Sequence, residues 1–357
     1  MRIGIVTFHR AHNYGAVLQC FALKAKLSSM GHALTVIDHR NNNLEKRYDL
    51  FPSQNWKCNP ILSVKNTVSR LLTYRLRKER RKSFDCFIKK YLLNNCSYDN
   101  IWDGFDCIVW GSDQIWQWNI IKDDKCFWGD IPNKSVRKIT YAASSGKIDK
   151  HFEERITSLS NYNAISVREN DLKNYLLDKN IKTEVVVDPS LLLTKEEWDS
   201  YLPLTRINKK PYILVYAMRD SEKTLKMANN LSRKLGLEIV ELHNFNISPL
   251  NLFPSYYTNG PIDFVSLFKY ADFVVTDSFH GTAFSIIFQR QFITLYLNDG
   301  HDNRAHSLLH SLHLQSRHLT IDNPITNLSA IDYNCVETLL KPIREHSIQF
   351  LTDSISE

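Results

Sequence analysis

Short apolar, β-branched runs alternate with helix-length segments twice over along this 357-residue chain, and that alternation leaves few folds open. Strand-like runs fall at 3–8, 34–38, 107–111, 138–142, 164–167 and 184–187, with helix-like segments such as 16–30 and 169–177 between them. A second series follows, with strands at 212–216, 238–241, 273–276 and 292–297 and helices near 221–235, 262–270 and 282–289. Alternation of this kind predicts α/β architecture with parallel sheets and helices on both faces. Two series predict two Rossmann-like domains, residues 1–188 and 189–330. Residues 331–357 follow as a helical tail packing back on the first domain. The stretch 188–210, with two prolines, reads as the passage between the domains.

Composition removes several classes of function. Hydrophobic residues are 43% and charged residues 23%, which is globular rather than disordered. No apolar run approaches the ~20 residues that span a bilayer, and residues 1–8 enter a strand with no signal-peptide layout. The seven cysteines are odd in number and lack a Cys-X-X-Cys pair, which argues against a disulfide framework or structural zinc. The expectation is a reducing, cytoplasmic setting. The net charge of +7 is concentrated around Arg75-Leu-Arg-Lys-Glu-Arg-Arg-Lys82, inside a helical stretch at about 61–92. Val68, Leu71, Leu72, Leu76, Phe84, Phe87, Ile88 and Tyr91 give that stretch an apolar side. A solvated basic face is the plain reading. Attraction to anionic lipid headgroups or to a pyrophosphate-linked acceptor is the sharper one. No nucleic-acid module accompanies the charge, so no nucleic-acid partner is expected.

Ligands of open parallel sheets bind beyond the carboxyl ends of the strands, so the turns there carry the chemistry. The first turn holds Asn13, Tyr14 and Gly15, where glycine permits close approach; it has neither dinucleotide-fold glycine spacing nor a P-loop. Later turns hold Ser112, Asp113 and Gln114; then Ser144, Ser145 and Gly146; then Arg168 and Glu169. The segment 271–290 is the most telling: an apolar strand, the polar turn Asp277-Ser-Phe-His-Gly281, then an apolar helix. A helix N-terminus there favours anions, and His280 adds a group that exchanges protons near neutral pH. The bland readings stay open: His280 as a cap, Arg168 as the partner of Glu169, Asn13 as a turn former, Asp113 as a helix cap.

The ordered set Asn13-Tyr-Gly-Ala-Val-Leu-Gln19, Val109-Trp-Gly-Ser-Asp-Gln-Ile-Trp116, Tyr141-Ala-Ala-Ser-Ser-Gly146, Ser166-Val-Arg-Glu169, Val187-Asp-Pro-Ser190 and Thr276-Asp-Ser-Phe-His-Gly281 resembles the polysaccharide pyruvyl transferase family over roughly residues 1–315. The resemblance implies a GT-B-like fold, two Rossmann-like domains flanking a cleft. It implies phosphoenolpyruvate as donor and a surface-glycan sugar (exopolysaccharide or capsule, often lipid-linked) as acceptor, with a cyclic pyruvate ketal as product. His280 matches the proposed general acid and Arg168 an arginine associated with the donor's anionic groups. Ser278 and the backbone at Gly281 and Thr282 would hold phosphate, and Arg304 is a further candidate for substrate anions. Asp113 would take a hydroxyl proton or orient the sugar. Asn13, Tyr14, Ser112 and Gln114 would line the acceptor side. No metal or redox cofactor is chemically required. His301, Asp302, His306, His310 and His313 crowd one region, but with Leu308, Leu309 and Leu312 on the buried side the histidines point outward and no metal site is expected. The rivals are a GT-B glycosyltransferase using a nucleotide sugar and a non-catalytic glycan-binding protein on the same fold.

Overall fold

The computed structural model describes residues 1–51, 60–93, 101–243, 255–256, 259–300, 302–322 and 329–356. Two six-stranded parallel sheets organise them. The first contains β1 (Arg2–Val6), β2 (Ala33–Val36), β3 (Cys107–Asp113), β4 (Arg137–Ala143), β5 (Ala164–Val167) and β6 (Glu184–Val185), in the order β2-β1-β3-β4-β5-β6. The second contains β7 (Tyr212–Tyr216), β8 (Glu238–Leu242), β9 (Ser255–Tyr256), β10 (Phe273–Thr276), β11 (Gln291–Leu295) and β12 (His318–Leu319), in the order β12-β11-β10-β7-β8-β9. The central strands β7 and β10 are buried along their whole length, as a sheet covered on both faces requires.

The principal helices are α1 (Tyr14–Ser29), α2 (Pro60–Leu72), α3 (Tyr74–Phe87), α4 (Asn170–Asp178), α5 (Ser221–Leu235), α6 (Pro261–Tyr270), α7 (Phe279–Ile287), α8 (Asn303–Ser311) and α9 (Tyr333–Ser356). Helix α1 is buried almost all round because it packs between the sheets. Tyr14 stacks on Phe264 of α6 with ring centroids 4.7 Å apart, and Phe21 meets Trp198, which in turn meets Phe284 of α7 at 5.2 Å. One apolar cluster therefore runs from Ile3 and Val109 to Phe264 and Phe284, so the two halves share a core. Helix α9 returns to the first sheet. Ser347 accepts from the backbone N–H of Val187, and Arg344 donates to the carbonyl of Leu191. Among the described residues, no helix is long and apolar enough to cross a membrane.

Three local departures from the sequence reading have physical causes. Strands β9 and β12 have two residues each, too few to show a period. The stretch 61–92 is not one helix but α2 and α3, broken at Thr73 and continued by a π turn at Ile88–Leu92. Its apolar residues also divide: Phe84, Phe87 and Ile88 are buried, whereas Val68, Leu71, Leu72 and Leu76 are exposed. Finally, α7 starts at Phe279, three residues before the expected start, because Ser278 caps it.

Candidate active site

Each sheet reverses strand order once, β1/β3 in the first and β7/β10 in the second. Crevices at such reversals are where parallel sheets bind ligands. Both open into a single cavity of about 510 Å³, lined by Phe8 and Asn13 after β1, Asp113 and Gln114 at β3, Met218 and Arg219 after β7, and Ser278 to His280 after β10. Arg304 of α8 completes the wall. A larger cavity of about 1090 Å³ lies between β5, β6 and α9, and none of the expected site residues lines it.

His280 sits where the two halves meet. Its imidazole is 8% exposed, with one edge reaching the cavity. The ring rests on Gly15 of α1: a β-carbon on Gly15 would stand 2.1 Å from Nδ1. That contact explains the glycine at this helical position better than backbone freedom does. Nε2 lies 3.7 Å from an Asp188 carboxylate oxygen, too far for a hydrogen bond, and finds no hydrogen-bond partner among the described residues. Gly15→Ala is expected to push the imidazole out of its slot and remove turnover, even though alanine favours a helix by up to ~1 kcal/mol. Turnover with an unchanged fold by circular dichroism is the measurement; wild-type activity would contradict the packing role.

Asp188 joins the elements of the site, although the sequence reading left it in the interdomain passage. It is fully buried. Its Oδ1 accepts from Ser190 N (3.0 Å) and Ser190 Oγ (2.7 Å), capping the turn Pro189–Leu192. Its Oδ2 accepts from Arg168 Nη1 at 2.7 Å. Burial alone would raise this carboxyl, but the His280 imidazole and the Arg168 guanidinium hold it far below the ordinary carboxylate range. The Asp-Pro-Ser motif carried the signal, since aspartate before proline is a turn cap, but a cap does not reveal what its second oxygen faces.

Arg168 lies behind the cavity wall rather than on it. Its side chain is 2% exposed and does not line the cavity. It lies behind Phe279, 5.0 Å from the ring centroid, and is surrounded by Asp188 (2.7 Å), Asp113 (3.7 Å) and Glu169 (3.7 Å). Burial opposes its charge, but these carboxylates more than offset that and raise the guanidinium above its usual value. Nε and Nη2 make no hydrogen bond among the described residues. On the same Phe279 ring, at 5.8 Å, Arg304 faces the cavity. Burial and the like charge of Arg168 pull Arg304 down to about 10. No ion pair ties its guanidinium to a described residue, so it stands ready for an anion. Arg304 and His280 on one cavity wall can hold an anion next to a proton donor, while the charge of Arg168 is taken up by the carboxylates around it.

The remaining expectations divide by exposure. Asp113 adopts φ +84° at the cavity edge, with its carboxylate accepting from Gln114 N at 2.9 Å, and Gln114 also lines the wall. Strain at a non-glycine residue of this kind is a feature of ligand sites. Asn13 reaches the wall but is also the N-cap of α1, accepting from Ala16 N. Tyr14 and Ser112 do not face the cavity. Tyr14 packs in the shared core, donates to the carbonyl of Asn259 and accepts from Arg80. Ser112 is fully buried and bonds to Ala142 O and Asp188. The phosphate cradle expected at Gly281 and Thr282 is closed for a local reason. Ser278 Oγ accepts the Gly281 N–H, and the Thr282 N–H bonds Ser278 O within the helix. A β-carbon at Gly281 would meet Thr276 Oγ1 at 2.2 Å, so that glycine serves packing. The N–H groups left without an intrahelical partner are those of Phe279 and His280.

Arg219, unassigned in the sequence, lines the cavity and pairs with Asp299 (2.6 Å) and Asp302 (2.7 Å). Asp302 is thereby committed, and His310 bonds Gln315, so neither is a spare metal ligand; His301 lies outside the described residues. Among the described residues, His39, Asp124 and Cys126 are close enough to share a cation. None lines the cavity, and Asp124 already accepts from His39, Asn41 and Cys126 N.

The model of a family described as "Polysaccharide pyruvyl transferase" matches residues 13–299. A search of curated proteins gave no significant match. Among solved structures, the chain is similar to UDP-GlcNAc 2-epimerase from Methanocaldococcus jannaschii (TM-score 0.47, 13% identity, covering 100% of this chain and 93% of that one). It is also similar to S. aureus MnaA in a UDP co-structure (TM-score 0.49, 12% identity, 99% and 91% covered). E. coli heptosyltransferase WaaC with ADP gives a TM-score of 0.38 at 13% identity, with 96% and 100% covered.

Proposed function

The chain belongs to the polysaccharide pyruvyl transferase family, a family of transferases, and from that premise we propose that it moves pyruvate from phosphoenolpyruvate onto two hydroxyls of a glycan sugar as a cyclic ketal. The observation that carries this reading is the meeting of His280 and Arg304 on one cavity wall, with Arg168 and Asp188 behind them. Phosphoenolpyruvate needs a proton on its methylene carbon and a cation for its carboxylate or phosphate. His280 protonates the methylene, generating the methyl group and positive charge at C2. One sugar hydroxyl adds to C2, phosphate leaves with the C2–O bond pair, and the second hydroxyl closes the ketal. Of the two hydroxyl protons released, one balances the proton placed on carbon and the other departs with phosphate.

In this reading Arg304 touches the donor anion. Arg168 is a positioning residue: it neutralises Asp188, which faces His280. Asp113 and Gln114 line the same cavity and would contact the sugar, together with the wall residues Asn13 and Tyr48. Taken together, the steps exchange the enol π bond and the C2–O bond to phosphate for a C–H bond and two C2–O bonds to the sugar.

Donor choice tests the proposal. Phosphoenolpyruvate at about 100 times its Kd should stabilise the protein by about 2.7 kcal/mol in thermal unfolding, and Arg304→Gln should weaken that effect. Stabilisation by nucleoside diphosphates and not by phosphoenolpyruvate would instead favour a nucleotide-sugar glycosyltransferase.

A further inference from the structure

Helix α2 is turned inside out. Val64, Val68, Leu71 and Leu72 fall at i, i+4, i+7 and i+8, a single stripe, and are 52%, 49%, 60% and 73% exposed. Away from the stripe, Ser63 and Thr73 are buried. A helix that packs its hydroxyls inward and shows its aliphatic residues to solvent has no apolar partner for that stripe among the described residues, and such a patch marks an interaction surface. The ridge continues at the break, where exposed Phe51 stacks on Tyr74 at 5.9 Å and Leu76 is 38% exposed.

The charge beside the ridge identifies the partner's chemistry. Residues 65–90 hold ten basic side chains against Glu79 and Asp85, a surplus of eight. The whole chain carries +7, so everything else together is one charge negative. Arg75, Lys78, Lys82, Lys89 and Lys90 are exposed. A second copy would oppose this face with the same positive charge, which is repulsive. An apolar ridge flanked by lysine and arginine fits a surface with anionic headgroups over hydrocarbon.

We propose that the consecutive helices α2 and α3 seat the protein on an anionic lipid bilayer, with the aliphatic stripe at the acyl boundary and the α3 basic residues at the headgroups. Helix α3 stands beside the cavity mouth. Arg80 of α3 donates to Tyr14 Oη and to the carbonyl of His243, and Arg81 lines a 410 Å³ groove that shares Tyr48 with the main cavity. Seating α2 and α3 on a bilayer would bring that opening to the membrane surface.

The test is co-sedimentation of the full chain with vesicles of phosphatidylcholine alone or with roughly a third phosphatidylglycerol. Binding at least about tenfold stronger to the anionic vesicles is expected, weakening as salt rises. A headgroup-level basic residue is worth about fivefold in partitioning, so R75E/K78E/K82E should lose about 100-fold. L71S/L72S, which removes only exposed side chains, should lose about tenfold while keeping the wild-type unfolding midpoint. Absence of binding to anionic vesicles, equal binding to both compositions, or full binding by both variants would overturn the proposal. So would a dimer in size-exclusion chromatography that L71S/L72S dissolves, because the ridge would then be a subunit contact. Sedimentation is read without turnover, so failure here leaves the pyruvyl-transfer reading standing.

Discussion

His280→Gln is expected to lower turnover by about 10²–10⁴, the usual worth of a positioned general acid, while costing no more than about 1 kcal/mol of stability. Glutamine fills much of the slot over Gly15 and keeps a polar, uncharged end on the side that faces Asp188, so packing is retained. It cannot release a proton to carbon at neutral pH. Steady-state phosphate release from phosphoenolpyruvate, read beside a thermal melt, separates the two effects. Wild-type turnover in this variant would remove His280 from the chemistry. A collapsed melt would instead assign it a structural role at the junction of the two halves.

Substitution of Asp188 should have the largest effect on stability. Asp188→Ala leaves the buried Arg168 without its 2.7 Å partner and uncaps the Pro189–Leu192 turn. Removing one member of a buried pair costs about 3–5 kcal/mol, enough to threaten a typical fold. Asp188→Asn keeps the cap and the volume, and so isolates the charge. The folded carboxyl is depressed, so its contribution to stability is present above the ordinary value of 3.8 and is lost as pH falls through the folded value. Wild-type protein should therefore keep this contribution from pH 7 down to about 5 and surrender it in acid. Asp188→Asn should start less stable and show a shallower acid limb in urea melts taken across pH. Identical acid limbs would show that the Arg168–Asp188 pair contributes no net stability.

The sequence made the fold legible because strands buried on both faces advertise themselves. The runs at 212–216 and 273–276 were read to the residue, since continuous apolar stretches bounded by polar turns admit one register. The start of α7 was misjudged because Ser278, Phe279 and His280 look like a turn until the Ser278 cap is seen. The same cap withdraws the Gly281 N–H from any phosphate. His280, Asp113 and Arg304 were legible as polar residues at strand ends and helix starts. That Arg304 rather than Arg168 lines the cavity was not. Which of two arginines is buried depends on Phe279 lying between them, a contact between residues 111 positions apart for Arg168. Asp188 was hidden for the same reason: its oxygens face partners 20 and 92 residues away. The sequence showed an apolar side in the 61–92 stretch but not which of its residues are covered, because periodicity identifies an apolar face without saying what packs on it.

The most direct measurement is the mass of the glycan repeat made by cells carrying the intact chain, compared with cells carrying His280→Gln. The expected result is a repeat heavier by one pyruvate less one water with the intact chain, and its absence with the variant. A repeat of equal mass in both, or a difference equal to a sugar residue, would contradict transfer of pyruvate by this site.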